Sequence, residues 1–231
     1  MLQVGAILVD FDGTACVHDV AEHLLIEFGD PAWEELDREW DLGRLGAREV
    51  LTRQAGMLRG STDELLRYAI AHCPIDPTFP PFVAWCRDHD VAVTLVSDGF
   101  GFYIAPLLAA AGIDDVAIET NGWRNDGAER LEFEPGHETC RWCGTCKVDA
   151  VTRARAANGP VAFVGEGGSD RLGARYADLV FAKDRLPAYL ETDGVPYHDW
   201  VNFDDIRRAL EKGTAVREHV APLRCPNREE R

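Results

Sequence analysis

The run Val4-Gly5-Ala6-Ile7-Leu8-Val9-Asp10-Phe11-Asp12-Gly13-Thr14 is almost wholly apolar up to Val9 and then carries two acids and a glycine. A near-continuous apolar stretch of this length predicts a strand buried on both faces of a sheet. In an open α/β sheet, ligands bind beyond the carboxyl ends of the strands. This strand therefore delivers two carboxylates to the place where chemistry occurs. Residues i and i+2 on a strand point the same way, so Asp10 and Asp12 are expected to face one reacting centre. Burying two carboxylates together is costly unless a cation or a proton offsets their charge, and the pattern asks for a divalent metal. The plainer reading is a strand end closed by an Asp-Gly turn. Two carboxylates, a glycine and a threonine together at a strand end are more specific than that.

Around this strand the chain runs to 231 residues, room for one large domain or a domain with a lid. Hydrophobic residues make up 46% and charged residues 28%, ordinary for a soluble globular protein. A formal net charge of -16 speaks against nucleic acid or anionic membranes as partners. It does not exclude an anionic substrate, because a site can be locally positive or carry a metal. No cationic leader precedes an apolar run, and no apolar stretch spans a bilayer, so a cytoplasmic location is expected, as a monomer or homodimer. Seven cysteines, an odd number, argue against a full disulfide framework.

Helical periodicity follows the first strand at once. Val20, Leu24, Leu25 and Phe28 predict one helix, and Pro31 opens a second with Trp33, Leu36, Asp37 and Trp40. Gly43 and Gly46 break it, and Val50, Leu51 and Met57 mark a third. Ser61-Thr62-Asp63-Glu64 has capping-box form and starts a fourth. Four helices exceed what one crossover needs, so residues 15–75 are expected to form an inserted helical cap. The core then resumes, with strands at 91–96, 116–119, 161–164 and 178–182 and helices at 82–86, 104–111, 147–158 and 172–176 between them. Asn125-Asp126-Gly127 lies between Trp123 and Leu131/Phe133, a hairpin signal. This alternation predicts an α/β fold, a doubly wound, Rossmann-like parallel sheet core over 1–14 and 76–212, with a β-hairpin and Cys-rich loop at about 117–146. The polar stretch 213–231 is expected to be a flexible, frayed tail.

Three predicted strands end in polar clusters: Asp10 with Asp12, Ser97, and Glu166 with Asp170, while Lys147 opens a helix. Parallel strands bring such ends to one edge. A carboxylate, a second carboxylate, a hydroxyl and an ammonium suit phosphoryl transfer through a covalent intermediate: one acid attacks, the other moves a proton, and lysine with Mg²⁺ balances the phosphoryl charge. Oxygen donors favour Mg²⁺ over a transition metal.

Asp10-Phe11-Asp12-Gly13-Thr14, Ser97, Lys147 and Gly165 to Asp170 resemble, in order, the four motifs of the haloacid dehalogenase superfamily. The helical insert resembles that superfamily's first type of cap, as in phosphoserine phosphatase. The resemblance implies a phosphomonoesterase with Asp10 as nucleophile and Asp12 as general acid and base. Thr14 would help hold Asp12 or the phosphate region. Ser97, with Asp98 and Gly99 beside it, and Lys147 would bind phosphate. Mg²⁺ would rest on Asp10, the Asp12 carbonyl, Glu166 and Asp170. Ser97-Asp98-Gly99-Phe100 with Phe102-Tyr103-Ile104, Cys143-Gly144-Thr145-Cys146-Lys147, and Phe181-Ala182-Lys183-Asp184 resemble the methionine-salvage branch, whose substrate is a sugar-like enol phosphate. Asp19, expected to meet substrate, also fits that branch, whereas phosphoserine phosphatases typically carry Glu there and Ser in place of Gly13. The substrate is thus expected to be a small phosphorylated metabolite. The alternatives are phosphoserine, phosphocholine or phosphoethanolamine as substrate, or a catalytically weak protein that binds a phosphorylated metabolite.

Two positions depart from the family pattern. Glu166 stands where Asp is usual, and either the metal site weakens or the loop shifts to let the longer acid coordinate. Gly101 stands where relatives with the Ser-Asp-Gly-Phe stretch often have Asp. Separately, His137, Cys140, Cys143 and Cys146 are spaced two residues apart just before Lys147, which suits a tetrahedral Zn²⁺ clip, or equally reduced thiols or one regulatory disulfide. In the cap, Trp33 and Trp40 are expected mainly to fill its core. Arg44, Arg48 and Arg53 are solvated by default, with one expected to be available for a substrate carboxylate or a second anionic group.

Overall fold

A computed structural model describes residues 3–124, 130–133, 142–217 and 225. Strand β1 (Ala6–Val9) is fully buried, and its side chains divide by parity. Ile7 and Val9 join one hydrophobic cluster, while Ala6 and Leu8 join another. That is the strict period of two that a strand covered on both faces requires. β2 (Ala92–Phe100), β3 (Ala117–Trp123), β4 (Leu131–Glu132), β5 (Val161–Gly165), β6 (Leu179–Ala182) and β7 (His198–Asp199) complete a sheet of order β4-β3-β2-β1-β5-β6-β7. All neighbours are parallel except the β3–β4 hairpin. The turn of that hairpin, Asn125-Asp126-Gly127, lies outside the described residues.

The chain moves from β1 to β2 on one side and later returns to β5 on the other, so the strand order reverses at β1. A crevice opens at such a reversal, directly beyond Asp10. Helices α1 (Val20–Phe28), α2 (Trp33–Asp41), α3 (Ala47–Met57) and α4 (Thr62–His72) all lie between β1 and β2. Side chains cap two of them: Asp19 accepts from the Glu22 amide at 2.8 Å, and Ser61 from the Glu64 amide at 3.3 Å. α5 (Phe79–Asp88), α6 (Ile104–Ala110) and α10 (Phe203–Glu211) feed the first cluster, whereas α7 (Lys147–Asn158), α8 (Arg171–Tyr176) and α9 (Leu186–Asp193) feed the second. Each sheet face therefore has its own helical layer. Among the described residues no helix is long and apolar enough to cross a membrane.

Two details differ from the sequence reading. β2 runs on through Ser97-Asp98-Gly99 to Phe100, with its register against β3 shifting between Ser97 and Phe100. Such an irregularity re-aims side chains at a strand end, and these are site residues. The stretch expected to fray from 213 is tied down where it is described. The Arg217 guanidinium donates to the carbonyls of Ala177, Ala174 and Arg175 at 2.7, 2.7 and 2.8 Å, and Cys225 is buried in the second cluster. Helix-end carbonyls lacking intrahelical partners make a natural dock for a guanidinium.

Candidate active site

Beyond β1 the backbone cannot stay regular. Asp10 and Asp12 remain extended, and Gly13 turns left-handed at φ 68°, a conformation that favours glycine. The loop closes through Ala15 N to Asp10 O at 3.2 Å and Cys16 N to Phe11 O at 2.9 Å. Asp10 and Asp12 consequently line the same cavity, of about 150 Å³, between the strand ends and the helices inserted after β1.

Lys147, the first residue of α7, reaches up from beneath. Its buried ammonium donates to Asp10 Oδ1 and Asp170 Oδ1, both at 2.6 Å, and to Ser169 Oγ at 3.2 Å. The other Asp170 oxygen accepts from the amides of Glu166 and Gly167 at 2.9 and 3.1 Å. One ammonium thus serves two buried acids, with more carboxylates nearby. Burial, then the Asp170 charge, push Asp10 well above the ordinary carboxylate range against the pull of Lys147. Burial also raises Asp12, opposed by its hydrogen bonds, and burial with the Asp12 charge holds Asp19 well above the ordinary range. Burial and Asp170 push Glu166 up to about 7. Burial pulls the Lys147 ammonium down, but Asp10 and Asp170 more than offset it and its pKa is raised. The site carries surplus negative charge. Asp10, Glu166 and Asp170 each offer an oxygen, all within 4.8 Å of one another. An all-oxygen, acid-rich set of this kind fits a hard divalent cation such as Mg²⁺.

Glu166 is accommodated by Gly13. A Cβ built at position 13 would lie 3.2 Å from Glu166 Cγ and 3.3 Å from its Cδ. The missing side chain makes room for the extra methylene, so the longer acid reaches the group. The carboxylate of Asp12 stands outside that group and is held separately. Val20 N donates to Oδ1 at 3.0 Å, Ser97 Oγ to Oδ2 at 3.2 Å, and the Tyr103 hydroxyl lies 3.0 Å from both oxygens.

Tyr103, quoted above within a motif but given no role, is brought to the site by the fold. It is fully buried, yet its hydroxyl points back to the strand end, where it also accepts from Phe100 N at 3.2 Å. Gly99 permits this contact, since a Cβ there would sit 2.1 Å from the Tyr103 hydroxyl and 2.4 Å from Asp12 Oδ2. Tyr103→Phe is expected to lower kcat roughly tenfold or more with little change in KM, because a hydrogen bond to a buried carboxylate is lost while the substrate cavity is untouched. Steady-state kinetics on one ester check this.

Other expected site residues are placed differently. Among the described residues the buried Thr14 hydroxyl has no hydrogen-bond partner, Asp12 included. Asp98 accepts from the Thr145 amide, two residues before Lys147, and so fastens the lysine's loop to β2. Asp98 also lines the cavity. Ser97 bonds Asp12 and accepts from Gly99 N at 2.9 Å. Asp19 lines the cavity. At Gly101 a Cβ would lie 2.1 Å from the Asn121 carbonyl, so a side chain there would have to displace backbone. Gly101→Asp is expected to cost about 1–3 kcal/mol, read as a lower Tm. None of the three cap arginines lines the cavity: Arg44 pairs with Glu39, Arg53 with Glu49, and Arg48 donates to the Cys143 carbonyl at 2.6 Å. Trp33 and Trp40 do line it, Trp33 while buried. Of the zinc quartet, His137 and Cys140 lie outside the described residues. Among the described residues Cys143 and Cys146 join no group of three placed to hold a metal.

Comparisons with known proteins place this geometry. The model of the haloacid dehalogenase-like hydrolase family matches residues 7–175. The 2-hydroxy-3-keto-5-methylthiopentenyl-1-phosphate phosphatase of Brevibacillus brevis is 28% identical over 207 residues, covering 88% of this chain and 93% of that protein. Its counterpart from Geobacillus kaustophilus is 26% identical over 208 residues, covering 88% and 94%. A phosphoserine phosphatase solved as a phospho-aspartyl intermediate analogue superposes with a TM-score of 0.68 at 17% identity, over 92% of this chain and 99% of that one. The chain belongs to the haloacid dehalogenase-like hydrolase family, and its likeness within that family is to phosphatases.

Proposed function

We propose that this phosphatase releases phosphate from a small cytoplasmic metabolite through an aspartyl-phosphate on Asp10, with Asp12 moving the proton and residues 15–75 acting as the cap. The observation that carries the reading is the unequal company of the two acids. Asp10 lies 2.6 Å from the Lys147 ammonium, whereas Asp12, which has no ion-pair partner among the described residues, is held by a phenol, a hydroxyl and an amide. Asp10 sits beside the ammonium and within the oxygen group that suits a divalent cation, which places it to attack, whereas Asp12 stands outside that group, oriented by neutral donors, which places it to pass a proton.

In the first half-reaction an Asp10 oxygen bonds to phosphorus, the ester oxygen leaves, and Asp12 gives that oxygen its proton. In the second, Asp12 takes a proton from a water that attacks the phosphoryl group, which restores Asp10 and frees inorganic phosphate. Lys147 stays fixed between Asp10 and Asp170 and faces the charge that develops. Mg²⁺, when bound by Asp10, Glu166 and Asp170, supplies further positive charge at that point. Supporting a metabolite-sized substrate are the cavity's volume of about 150 Å³ and the likeness to phosphatases of the methionine-salvage ester.

Hydrolysis of p-nitrophenyl phosphate tests the reading. The ester is expected to be cleaved with Mg²⁺ and spared when EDTA removes it. Absence of cleavage under any divalent metal would favour the alternative, a protein that only binds a phosphorylated metabolite.

A further inference from the structure

We infer that Asn121 is a positioning residue for the proton transfer at Asp12, acting through two parallel chains of hydrogen bonds. The inference rests on the phosphatase reading above. Asn121 lies on β3 with its side chain buried, and it does not line the cavity. The irregular end of β2 accounts for its place. Ser97 pairs with Thr120 and Phe100 with Asn121, so Asp98 and Gly99 are skipped in the pairing. Skipped residues leave ladder carbonyls to be satisfied by other means. The Asn121 side-chain amide satisfies both, donating to the Asp98 carbonyl at 2.8 Å and to the Gly99 carbonyl at 3.2 Å. Its own oxygen accepts from the Thr145 hydroxyl at 3.4 Å. Both hydrogens of the amide are thus committed to the end of β2.

Each of those carbonyls belongs to a peptide unit whose N–H makes the next bond. Gly99 N donates to Ser97 Oγ at 2.9 Å, and Phe100 N donates to the Tyr103 hydroxyl at 3.2 Å. A hydroxyl has a single hydrogen, and where its oxygen accepts from an N–H that hydrogen serves a second acceptor. For both hydroxyls the second acceptor is Asp12, at 3.2 Å from Ser97 and 3.0 Å from Tyr103. One amide therefore sets two peptide units, the peptide units set two hydroxyls, and the hydroxyls aim one carboxyl group. Bonds in such chains polarise and strengthen one another. A general acid has to meet the leaving oxygen within hydrogen-bond reach, so a loss of aim at Asp12 is a loss of rate.

Phenyl phosphate set against p-nitrophenyl phosphate tests this, because the two esters are close in shape and differ in how much the leaving oxygen needs a proton. The nitrophenolate departs with little help, whereas the phenolate depends on the acid. Asn121→Leu keeps the volume of the side chain, and Asn121→Asp keeps its shape and the acceptor for Thr145. In both, kcat/KM for phenyl phosphate is expected to fall about tenfold further than kcat/KM for p-nitrophenyl phosphate. Because the ratio of the two esters is taken within each variant, a general loss of folded protein cancels. Thr145→Val, which cuts the bond at the other end of the same side chain, is expected to leave the ratio unchanged. Tyr103→Phe cuts one of the two chains and is expected to lower the ratio as well. Combined with Asn121→Leu it should cost less than the product of the single effects, since the two changes interrupt one chain. Equal losses on both esters, purely multiplicative effects in the double variant, or failure of both Asn121 variants to fold would make Asn121 a filler of the strand irregularity alone and overturn the inference. If the parent cleaves p-nitrophenyl phosphate in those cases, the phosphatase reading stands and only the role of Asn121 falls. If the parent cleaves neither ester, both fall.

Discussion

Asp10→Asn is expected to lower phosphate release by about 10⁵-fold or more, as loss of the nucleophile does in enzymes that work through covalent intermediates. The fold is expected to survive. The amide is close in shape, and Lys147 keeps Asp170 at 2.6 Å. Asp10 and Asp170 are buried and share one ammonium, so a neutral residue at position 10 removes a charge that burial penalises. Metal-free variant should therefore melt no lower than metal-free parent, and functional residues commonly carry such a stability cost. Addition of Mg²⁺ should raise the Tm of the parent more than that of the variant, because a ligand stabilises only in proportion to its affinity for the folded state. Phosphate release and calorimetry on the two proteins decide the matter. Turnover within tenfold of the parent would place the nucleophile elsewhere.

Lys147→Met should be the most destabilising change at the site. The ammonium lies between two buried carboxylates, and deleting it leaves both without their counter-ion. Removing one partner of a buried ion pair costs about 3–5 kcal/mol, roughly 10 °C in Tm for a chain of this size. Adding Asp170→Asn removes one of the stranded charges, so the double variant should melt above Lys147→Met alone. That reversal is a coupling that independent sites do not show. The measurement belongs in EDTA, where no divalent ion can replace the lost charge. A Tm within a degree or two of the parent would show that the two carboxylates do not depend on Lys147.

The features legible in the sequence are those fixed by local rules. The apolar run to Val9 requires a strand covered on both faces, and the alternation of Ile7 and Val9 against Ala6 and Leu8 fulfils it. Ser61 caps its helix because Ser-x-x-Glu can hardly do otherwise in that place. Asp10, Lys147 and Asp170 come together because strand ends and a helix start in a parallel sheet share one edge. Contacts made across the fold were not legible. The role of Tyr103 depends on the irregular end of β2 and on Gly99 having no side chain. Arg217, in a stretch whose composition suggests a loose tail, finds three carbonyls that only the end of α8 offers. The cap arginines show the converse. Their charge invites a role at an anion, but partners within reach, two carboxylates and a carbonyl, claim all three.

The contact between Gly13 and Glu166 also constrains how this site can change by descent. A side chain at position 13 would press on Glu166 within 3.2–3.3 Å and would hold a left-handed backbone besides. The acid would have to give by a few tenths of an ångström, enough to disturb its place beside Asp10 and Asp170. The two positions therefore behave as one heritable character. Shortening the acid to Asp first opens space in which a residue such as Ser can follow. Adding the side chain first crowds the acid while it is still long. Of the two mutational routes between the Gly–Glu and Ser–Asp forms of the site, one is open and the other passes through a damaged intermediate.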